Sequence, residues 1–550
     1  MPRPCEHHVT QGRDGNPETP LNRTRAVTSF RTSTRLAAAG AGLLAAAAGV
    51  AAASLAAALF TGVPAPIVSV GNAVIDLAPP ALKDFAVEQF GSTDKLVLLA
   101  AIFAVIALAA AAAGVIGLRH PRVAIAITAT LGVLAVVAAA TDRTSLGSAP
   151  VTVLPALLAL VVSIGTLSWL LSALARRRHA ESAAWGEPHP GDDVGADFDR
   201  RRFLEAVLAT GAVVAIGGIG ARLVGPAAAI ASRKQTMIPA AADTAGAVPK
   251  GASLPVRGIT SYLTDNEDFY RIDTALTPPD VPAGTWSLRI HGAVDNELEI
   301  SFADLLKRRL VERRVTLTCV SNEIGGELAG NATWTGVLVK DLLDEAGVRA
   351  GADAVLSTSS DGFTAGTPID ALTDGRDAMI AVAMNGEPLP IEHGFPARMV
   401  VPGLYGYVSA TKWLTDLEVT SFSEFSAYWT DRGWAAQAPI KTASRIDVPT
   451  SFATVKTGTV AVAGVAWAQH RGISKVEVRV DNGTWQQARL ATADGSDTWR
   501  QWVWQWAAEP GTHTLEVRAT DDDGETQTSQ RTAPRPDGAT GWHGVAVTVV

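Results

Sequence analysis

Long runs without charge dominate the first third of the chain. Residues 36–60, 96–118, 123–141 and 150–175 contain no Asp, Glu, Lys or Arg. Each run has roughly the 20 residues that an α-helix needs to cross the hydrocarbon core of a bilayer. The alternation of these runs with polar loops predicts four membrane-spanning helices within residues 36–178, and it excludes a purely soluble protein.

Basic residues predict the orientation of these helices. Arginines are concentrated in residues 23–35, Arg119 and Arg122 separate the second run from the third, and residues 176–178 follow the fourth. All three groups fall on the same side of the predicted bundle, and positive charge beside a spanning helix marks the cytoplasmic side. We therefore expect a multi-pass protein of the plasma membrane whose N-terminal tail, residues 1–35, is cytoplasmic.

A second basic motif lies in residues 179–235. Three arginines at 200–202 precede Phe203, Leu204 and a weaker apolar stretch at 206–221. This arrangement resembles a twin-arginine export signal, and it also fits simple anchoring of a fifth transmembrane helix by positive charge. Both interpretations place everything after about residue 235 outside the cytoplasm.

The pattern changes to mixed helix and strand after a linker rich in Ala, Pro and Gly at residues 236–256. Alternation predicts a strand at 286–291, and Ser301 with Asp304 predicts the N-cap of a short helix. A β-rich run at 315–318 ends at Cys319, and residues 335–346 are predicted to be a helix that Gly347 ends. Residues 257–432 therefore form an α+β domain.

Short alternating strands fill the last segment, residues 433–550. Apolar residues recur at every second position in 476–480, 515–519 and 545–549, and Asp481, Asn482 and Gly483 supply a turn. This spacing predicts a β-sandwich. Six tryptophans are interpreted as an aromatic cluster used for packing: Trp485, Trp499, Trp502, Trp504, Trp506 and Trp542.

The composition and net charge of the chain argue against several classes of function. The net charge is −8 and the pI about 5.7, whereas nucleic-acid binding usually requires a basic domain. The only cysteines are Cys5 and Cys319, far apart in the chain, so neither a disulfide framework nor a cysteine-rich metal site is expected. No Cys-x-x-Cys-His motif occurs, and the four apolar runs contain no histidine. We expect no haem and no iron–sulfur cluster in this chain.

Several ordered blocks carry a family resemblance. They are Thr318-Cys319-Val320-Ser321-Asn322, Asn331 to Val337, Asn385 to Pro390, His393 to Arg398, Val401-Pro402-Gly403 and Lys412-Trp413-Leu414. Together they resemble the sulfite oxidase family of molybdenum enzymes over residues 257–550. The segment from about residue 437 looks like the immunoglobulin-like dimerisation domain of that family, and this implies a homodimer. The expected architecture is multi-domain: transmembrane α-helices, an α+β molybdopterin domain and an all-β immunoglobulin-like sandwich.

The resemblance also assigns residues. Cys319 matches the thiolate that binds molybdenum, and molybdenum favours such soft sulfur donors. His393, Arg398 and Lys412 match positions that hold the pterin and its phosphate, and the cofactor is expected to be molybdopterin without an added nucleotide. Tyr270, Asn322 and Trp434 are expected to line the pocket as catalytic residues.

The chain departs from the family on the substrate side. Sulfite oxidases have two arginines shortly after the molybdenum cysteine, where this chain has Glu323 and Ile324 after Asn322. Glu323 would add repulsion toward an anion. Arg271 is either displaced by one position from another expected arginine or points elsewhere, and Trp434 stands where a tyrosine is expected. Because each lost contact between an arginine and an anion costs about 1.5–3 kcal/mol, we expect a neutral substrate such as a sulfoxide or an N-oxide.

Two alternatives stay open from the sequence. One is a sulfite dehydrogenase with a rearranged anion pocket, and the other is a cofactor-free extracytoplasmic binding protein on the same fold. For the enzyme, electrons must come from a partner at the membrane, either quinone-linked or a cytochrome.

Overall fold

The computed structural model describes residues 20–183 and 227–550, apart from short gaps at 61, 80–81, 83–84, 86–88, 91–93 and 146–148. The twin-arginine motif and the fifth helix predicted within residues 200–221 lie outside the described residues. Helices of the N-terminal part are α1 (Pro20–Ala58), α2 (Pro66–Leu77), α3 (Asp94–Gly117), α4 (Pro121–Ala140) and α5 (Ala149–Ala183).

Four of these helices are long and apolar enough to cross a membrane. The spans are Thr34–Ala58, Lys95–Gly117, Pro121–Ala140 and Pro150–Arg176, close to the four uncharged runs of the sequence. Large apolar side chains point outward from them, for example Val105, Leu108 and Val161, which are 62%, 72% and 67% exposed. An outward apolar surface of this kind is compatible with contact with lipid. Helix α2 is apolar as well but short, and it lies between the first two uncharged runs, where the sequence predicts a loop.

Glycines bring α1 and α3 into close contact. A Cβ atom added at Gly42 would overlap the carbonyl group of Ala110, and one added at Gly114 would overlap the carbonyl group of Ala38. Small residues at helix crossings allow backbones to approach, which is the usual way in which membrane helices gain packing energy. The first and second spans are therefore fixed against each other by two glycines.

The middle domain contains one mixed sheet, one antiparallel sheet and four short helices. Strands β2-β1-β10-β5-β6 form one sheet, strands β3-β4-β7-β8 form the other, and β9 pairs with β7. The helices are α6 (Ala227–Gln235), α7 (Phe302–Leu306), α8 (Val339–Ala346) and α9 (Ile369–Thr373). The strands are β1 (Ser287–Gly292), β2 (Leu298–Ser301), β3 (Val311–Thr318), β4 (Ala329–Leu338), β5 (Ala354–Ser359), β6 (Thr364–Pro368), β7 (Met379–Met384), β8 (Glu387–Pro388), β9 (Arg398–Val400) and β10 (Leu414–Thr420).

One predicted helix begins later than expected. Residues 335–338 continue strand β4, where Thr335, Gly336 and Val337 pair with strand β7, and only Val339–Ala346 is helical. Pairing of the β-branched Thr335 and Val337 in a buried sheet outweighs their weak helix propensity. The helix ends as predicted at Gly347, whose φ of 71° lies in the left-handed region. The predicted N-cap is also present, since the Asp304 amide donates to Ser301 Oγ at 3.2 Å.

The C-terminal segment is a sandwich of two sheets, β11-β13-β17-β16 and β12-β19-β18-β14-β15. Alternate residues point inward as the sequence predicted, with Val476, Val478, Leu515, Val517 and Ala519 fully buried. The strands are β11 (Ala443–Val448), β12 (Ala453–Val455), β13 (Gly458–Trp467), β14 (Ile473–Val480), β15 (Gln486–Gln487), β16 (Arg489–Leu490), β17 (Arg500–Ala508), β18 (Gly511–Asp521) and β19 (His543–Val549).

The six tryptophans do not form one cluster. Trp499, Trp502 and Trp506 are buried, whereas Trp485 and Trp542 pack edge to face against each other at 4.9 Å between ring centroids. Arg479 lies 4.8 Å from each of these two rings. Trp502, Trp504 and Trp506 lie two residues apart on β17 and pack in or against the sandwich core, because residues two apart in a strand face the same side of the sheet.

The sandwich and the linker cover the free edge of β3. Strand β3 is the outer strand of its sheet, and Asp243 of the linker bridges it at Val311. Further along, the Thr316 amide donates to the Asp497 carbonyl at 2.9 Å, and Gln469 Nε2 donates to the Thr316 carbonyl at 2.8 Å. An open edge strand would leave unpaired backbone groups. The strand that leads to Cys319 is therefore held on both sides.

We predict that Gly42→Val destabilises the helical bundle. The added side chain would collide with the backbone of α3, and overpacking of this kind costs about 1–3 kcal/mol. Thermal unfolding of the detergent-solubilised protein should begin at a lower temperature. Gly40→Val is the matched control, because the described residues leave the space around a Cβ at Gly40 open to 4 Å. Equal unfolding temperatures for the two variants would contradict the glycine crossing.

The buried side chain of His543 is expected to make the folded protein less stable in acid. Burial lowers the pKa of His543 to about 4, with a further contribution from the charge of Arg445. Since the unfolded chain takes up this proton near pH 6.5, stability is complete above that pH and falls as the pH drops toward 4. The thermal midpoint of His543→Asn should therefore change less than that of the wild type between about pH 7.5 and pH 5. In His513→Asn the change should not shrink, because the pair with Asp481 raises the pKa of His513.

Candidate active site

Cys319 lies directly after β3, at the end of a strand inside the domain. Its amide donates to the Leu328 carbonyl at 2.9 Å, and its side chain is 8% exposed. Burial raises the pKa of the thiol, while hydrogen bonds from Ser321 and the charge of Lys412 act in the opposite direction. A metal binds the thiolate form of cysteine and not the thiol. At this buried position the thiolate is favoured only when a positively charged group, such as a metal ion, lies beside it.

A cavity opens above Cys319. Aromatic side chains form much of its wall, namely those of Phe269, Tyr270, Phe363, Tyr407, Trp413, Trp429 and Trp434. The charged residues in the wall are Arg398, Lys412, Asp273 and Asp361. Two positive and two negative side chains in an otherwise apolar wall leave the cavity without net formal charge.

Arg398 is a buried cation with only weak partners. The guanidinium donates to the carbonyl groups of His393 at 3.2 Å and Ala410 at 3.3 Å, and it lies 5.0 Å from the Trp334 ring. Among the described residues its hydrogen-bond partners are backbone carbonyl groups and not carboxylates. Burial lowers the pKa of Arg398 to about 10. An unpaired buried charge is costly, so this position favours an anionic ligand.

Lys412 is the second buried cation of the cavity. Its ammonium lies 3.3 Å from Asp273 Oδ2 and donates to the Glu392 carbonyl at 3.0 Å. Burial lowers the pKa of Lys412 to about 8, although the charge of Asp273 opposes this shift. For Asp273 itself, burial raises the pKa, but Lys412, Lys95 and Arg271 outweigh burial and lower it. Asp273 therefore stays ionised and holds Lys412 at the cavity wall.

His393 lies behind these cations. Its Nε2 atom is 3.1 Å from the Asn266 carbonyl, while its Nδ1 atom is buried and has no partner among the described residues. Burial, together with Lys412 and Arg398, lowers the pKa of His393 to about 3. A neutral imidazole with one unused buried nitrogen is suited to a hydrogen bond with a ligand.

The loop between Gly403 and Lys412 is held by its own hydrogen bonds. Residues Gly406–Val408 form one turn of 3₁₀ helix, and the Ala410 amide donates to the Gly406 carbonyl at 2.9 Å. Ser409 Oγ donates to the Tyr405 carbonyl at 2.9 Å. These bonds present Gly406, Tyr407 and Ala410 to the cavity.

Of the three predicted pocket residues, Tyr270 and Trp434 line the cavity. Tyr270 stacks on Phe269 at 5.2 Å between ring centroids, and burial raises the pKa of its hydroxyl. Asn322 is buried beside the cavity wall, and its Oδ1 atom accepts from the Leu328 amide at 2.8 Å. This bond closes the loop that follows Cys319, so the geometry gives Asn322 a part in holding that loop.

The sequence predicts Glu323 on the substrate side and leaves two positions open for Arg271. The Glu323 side chain is exposed, and the Arg271 side chain is 38% exposed and donates to Asp273 Oδ2 at 2.9 Å. Neither belongs to the cavity wall. The turn at Cys319–Asn322 carries Glu323 away, so the repulsion expected from its charge does not act inside the cavity.

Sequence reasoning missed Asp273 and Asp361 in the wall, and it missed Phe363 and Trp429. Asp273 follows the recognised Phe269-Tyr270 pair closely, so its position was a usable signal. Asp361 comes from a tight turn after β5, where its Oδ1 atom accepts from the Phe363 amide at 3.0 Å. A solvated turn is the ordinary interpretation of such a residue.

The residues present fit a molybdopterin cofactor. Cys319 offers a single thiol, Arg398 and Lys412 offer buried positive charge for a phosphate, and His393 offers an unused nitrogen. Arginine and lysine both suit a phosphate because they keep their charge and donate several hydrogen bonds. All four surround one cavity or lie directly behind it.

Comparison with known proteins agrees with this geometry. Residues 275–429 match the family described as oxidoreductase molybdopterin binding domain, and residues 444–517 match the family described as bacterial Ig domain. The sulfane dehydrogenase SoxCD from Paracoccus pantotrophus is 21% identical with a TM-score of 0.48, over 55% of this chain and 86% of that chain.

Two curated relatives define the family. Mitochondrial sulfite oxidase of Rattus norvegicus is 30% identical over 304 residues, which are 47% of this chain and 54% of the relative. The chain thus spans about half the length of such relatives. The uncharacterised oxidoreductase YuiH of Bacillus subtilis is 34% identical over 149 residues, which are 27% of this chain and 72% of YuiH. The chain belongs to the sulfite oxidase family of molybdopterin-binding oxidoreductases.

Proposed function

We propose that this protein is a membrane-anchored molybdenum oxidoreductase that transfers an oxygen atom from a neutral sulfoxide or N-oxide outside the cytoplasm. The observation that carries the proposal is Arg398, a buried guanidinium without a carboxylate partner among the described residues, in the same cavity as the thiol of Cys319. When bound, the molybdenum cofactor supplies the two-electron redox chemistry. Arg398 and Lys412 hold its phosphate, and Cys319 holds its metal.

The aromatic wall supports a neutral substrate. Arg398 and Lys412 are the positive residues of the wall, and both are engaged by the cofactor phosphate in this proposal. Asp273 is paired with Lys95, Arg271 and Lys412, so Asp361 remains as the negative side chain of the wall without a cation partner among the described residues, and its charge disfavours an anion. Tyr407 and Trp434, with ring centroids 5.8 Å apart, offer an apolar surface to the organic groups of a sulfoxide.

A balanced reaction requires an electron donor. Reduction of a sulfoxide gives a sulfide and water and consumes two electrons and two protons. We infer a quinone-linked or cytochrome partner at the membrane as the donor. Tyr270 and Tyr407 both line the cavity, and burial raises the pKa of both hydroxyls, so each keeps its proton. The Tyr407 hydroxyl donates to the Ala435 carbonyl at 2.6 Å, so Tyr270 is the residue proposed to donate a hydrogen bond to the substrate oxygen.

The contacts of the bundle support the expected orientation in the membrane. The catalytic domain touches Asp76 at the end of α2, Lys95 at the start of α3 and Arg143 after α4. Arg119, between α3 and α4, and Arg122, in the first turn of α4, lie at the opposite end. Because basic residues mark the cytoplasmic side, the catalytic domain is proposed to lie outside the plasma membrane. The sandwich is proposed to serve a homodimer.

A second candidate function is sulfite oxidation. The identity with rat sulfite oxidase favours it, as do the two cations of the wall. It would require Arg398 or Lys412 to bind the substrate, since Arg271 lies outside the wall.

We predict that the purified protein contains close to one molybdenum atom per chain, measured by elemental mass spectrometry. Cys319→Ser should abolish turnover, because a hydroxyl is a poor ligand for a soft metal centre. Cys5→Ser is the matched control and should retain both the metal and the activity. A folded wild-type protein without molybdenum, produced in a host that makes the cofactor, would refute the enzyme proposal and favour a binding protein.

We also predict the order of substrates. With a reduced artificial donor, kcat/KM for an alkyl sulfoxide should exceed kcat/KM for sulfite with an artificial acceptor by on the order of 100-fold, the value of one to two missing charge-assisted hydrogen bonds. A higher kcat/KM for sulfite would contradict a neutral substrate and would favour sulfite oxidation, the second candidate function.

A further inference from the structure

A lysine of the membrane bundle reaches the active-site wall. Lys95, in the first turn of α3, donates from Nζ to Asp273 Oδ1 at 2.7 Å, to the Asp273 carbonyl at 2.8 Å and to the Ala275 carbonyl at 2.6 Å. An ammonium group has three N–H donors, and these contacts provide three acceptors for them. The segment that Lys95 binds contributes Ile272, Asp273 and Thr274 to the cavity wall.

Asp273 connects Lys95 with Lys412. The Asp273 side chain is 4% exposed, and its second oxygen accepts from Lys412 at 3.3 Å. One carboxylate is thus shared by a cation from the membrane bundle and a cation from the catalytic domain. Without Lys95 the carboxylate would turn fully toward Lys412 and Arg271, and it would draw the Lys412 ammonium away from the cavity.

The bundle also touches the opposite wall. Asp76, at the end of α2, accepts from Arg143 at 3.2 Å, and both Arg143 and Arg432 lie over the Tyr428 ring. The segment that begins at Tyr428 continues to Trp429 and Trp434 of the wall. Near the first wall, helix α2 approaches Leu276 so closely that a Cβ atom at Gly71 would overlap that side chain.

We propose that Lys95 is a positioning residue of the active site: it fixes the wall at 272–275 and, through Asp273, the position of Lys412 toward the cofactor phosphate. The inference rests on the proposed function for the part that concerns the cofactor. In this proposal the membrane bundle helps to build the active site, in addition to the anchoring expected from its sequence.

The test uses the full-length protein with Cys5→Ser, so that Cys319 is the only thiol. Cofactor-free protein is prepared from a host that cannot make molybdopterin, and the rate at which a maleimide modifies Cys319 is measured. Lys95→Met should increase this rate about tenfold, the value of a lost hydrogen bond to a charged group. Lys95→Arg keeps the charge and should restore most of the protection, and the exposed Lys250→Met should leave the rate unchanged.

A second variant separates this role from misfolding. Asp273→Asn should also increase the rate, and Lys95→Met should add less in that background than it adds alone, because the two residues act through one contact. In cofactor-loaded protein, Lys95→Met should lose molybdopterin faster on dilution than Lys250→Met.

The outcomes distinguish the two proposals. Equal modification rates for wild type and Lys95→Met, or an undiminished effect of Lys95→Met in the Asp273→Asn background, would overturn the positioning role whatever the metal content. A wild type without molybdenum would instead overturn the proposed enzyme, and a faster modification of Cys319 in Lys95→Met would still support the fixed wall.

Discussion

The electrostatic constraint on this fold is that two cations share one apolar cavity. Arg398 and Lys412 are both buried, and desolvation and mutual repulsion disfavour their charges. In a low dielectric such a pair is stable only near anions or strong acceptors. Asp273 pairs with Lys412, and backbone carbonyl groups accept from Arg398. His393 stays neutral because burial lowers its pKa and because the two cations would repel a third charge. The wall of the cavity therefore presents two buried cations to an anionic ligand before any ligand binds.

This constraint also explains why the catalytic domain cannot be understood without its neighbours. Without Lys95, the buried Asp273 carboxylate would have two cation partners, the buried Lys412 and the more exposed Arg271. On the far side, His543 of the sandwich lies so close to Gly325 that a Cβ atom there would overlap its ring, and Arg445 donates to the Gly326 carbonyl at 2.6 Å. The loop after Cys319 is thus held by the C-terminal domain.

The sequence predicted what depends on local periodicity or on blocks of recognisable residues. Uncharged runs identified four helices, alternation identified the sandwich strands, and the blocks around Cys319, Arg398 and Lys412 identified the cavity. Contacts between distant segments escaped prediction, because nothing in the spacing of Lys95 and Asp273 indicates that they meet. Glu323 was misplaced for a similar reason: the direction of a side chain after a tight turn depends on backbone geometry that a motif does not encode. The start of helix α8 was misjudged because pairing with β7 decides the state of residues 335–338.

The covered edge of β3 has a consequence for the order in which the chain folds during synthesis. Thr316 receives its partner Trp499 from a segment 183 residues further along, so the strand before Cys319 emerges from the ribosome long before its edge is closed. An open edge strand is prone to pair with other chains. The edge of the strand that leads to Cys319 is therefore completed only after the sandwich segment has been synthesised.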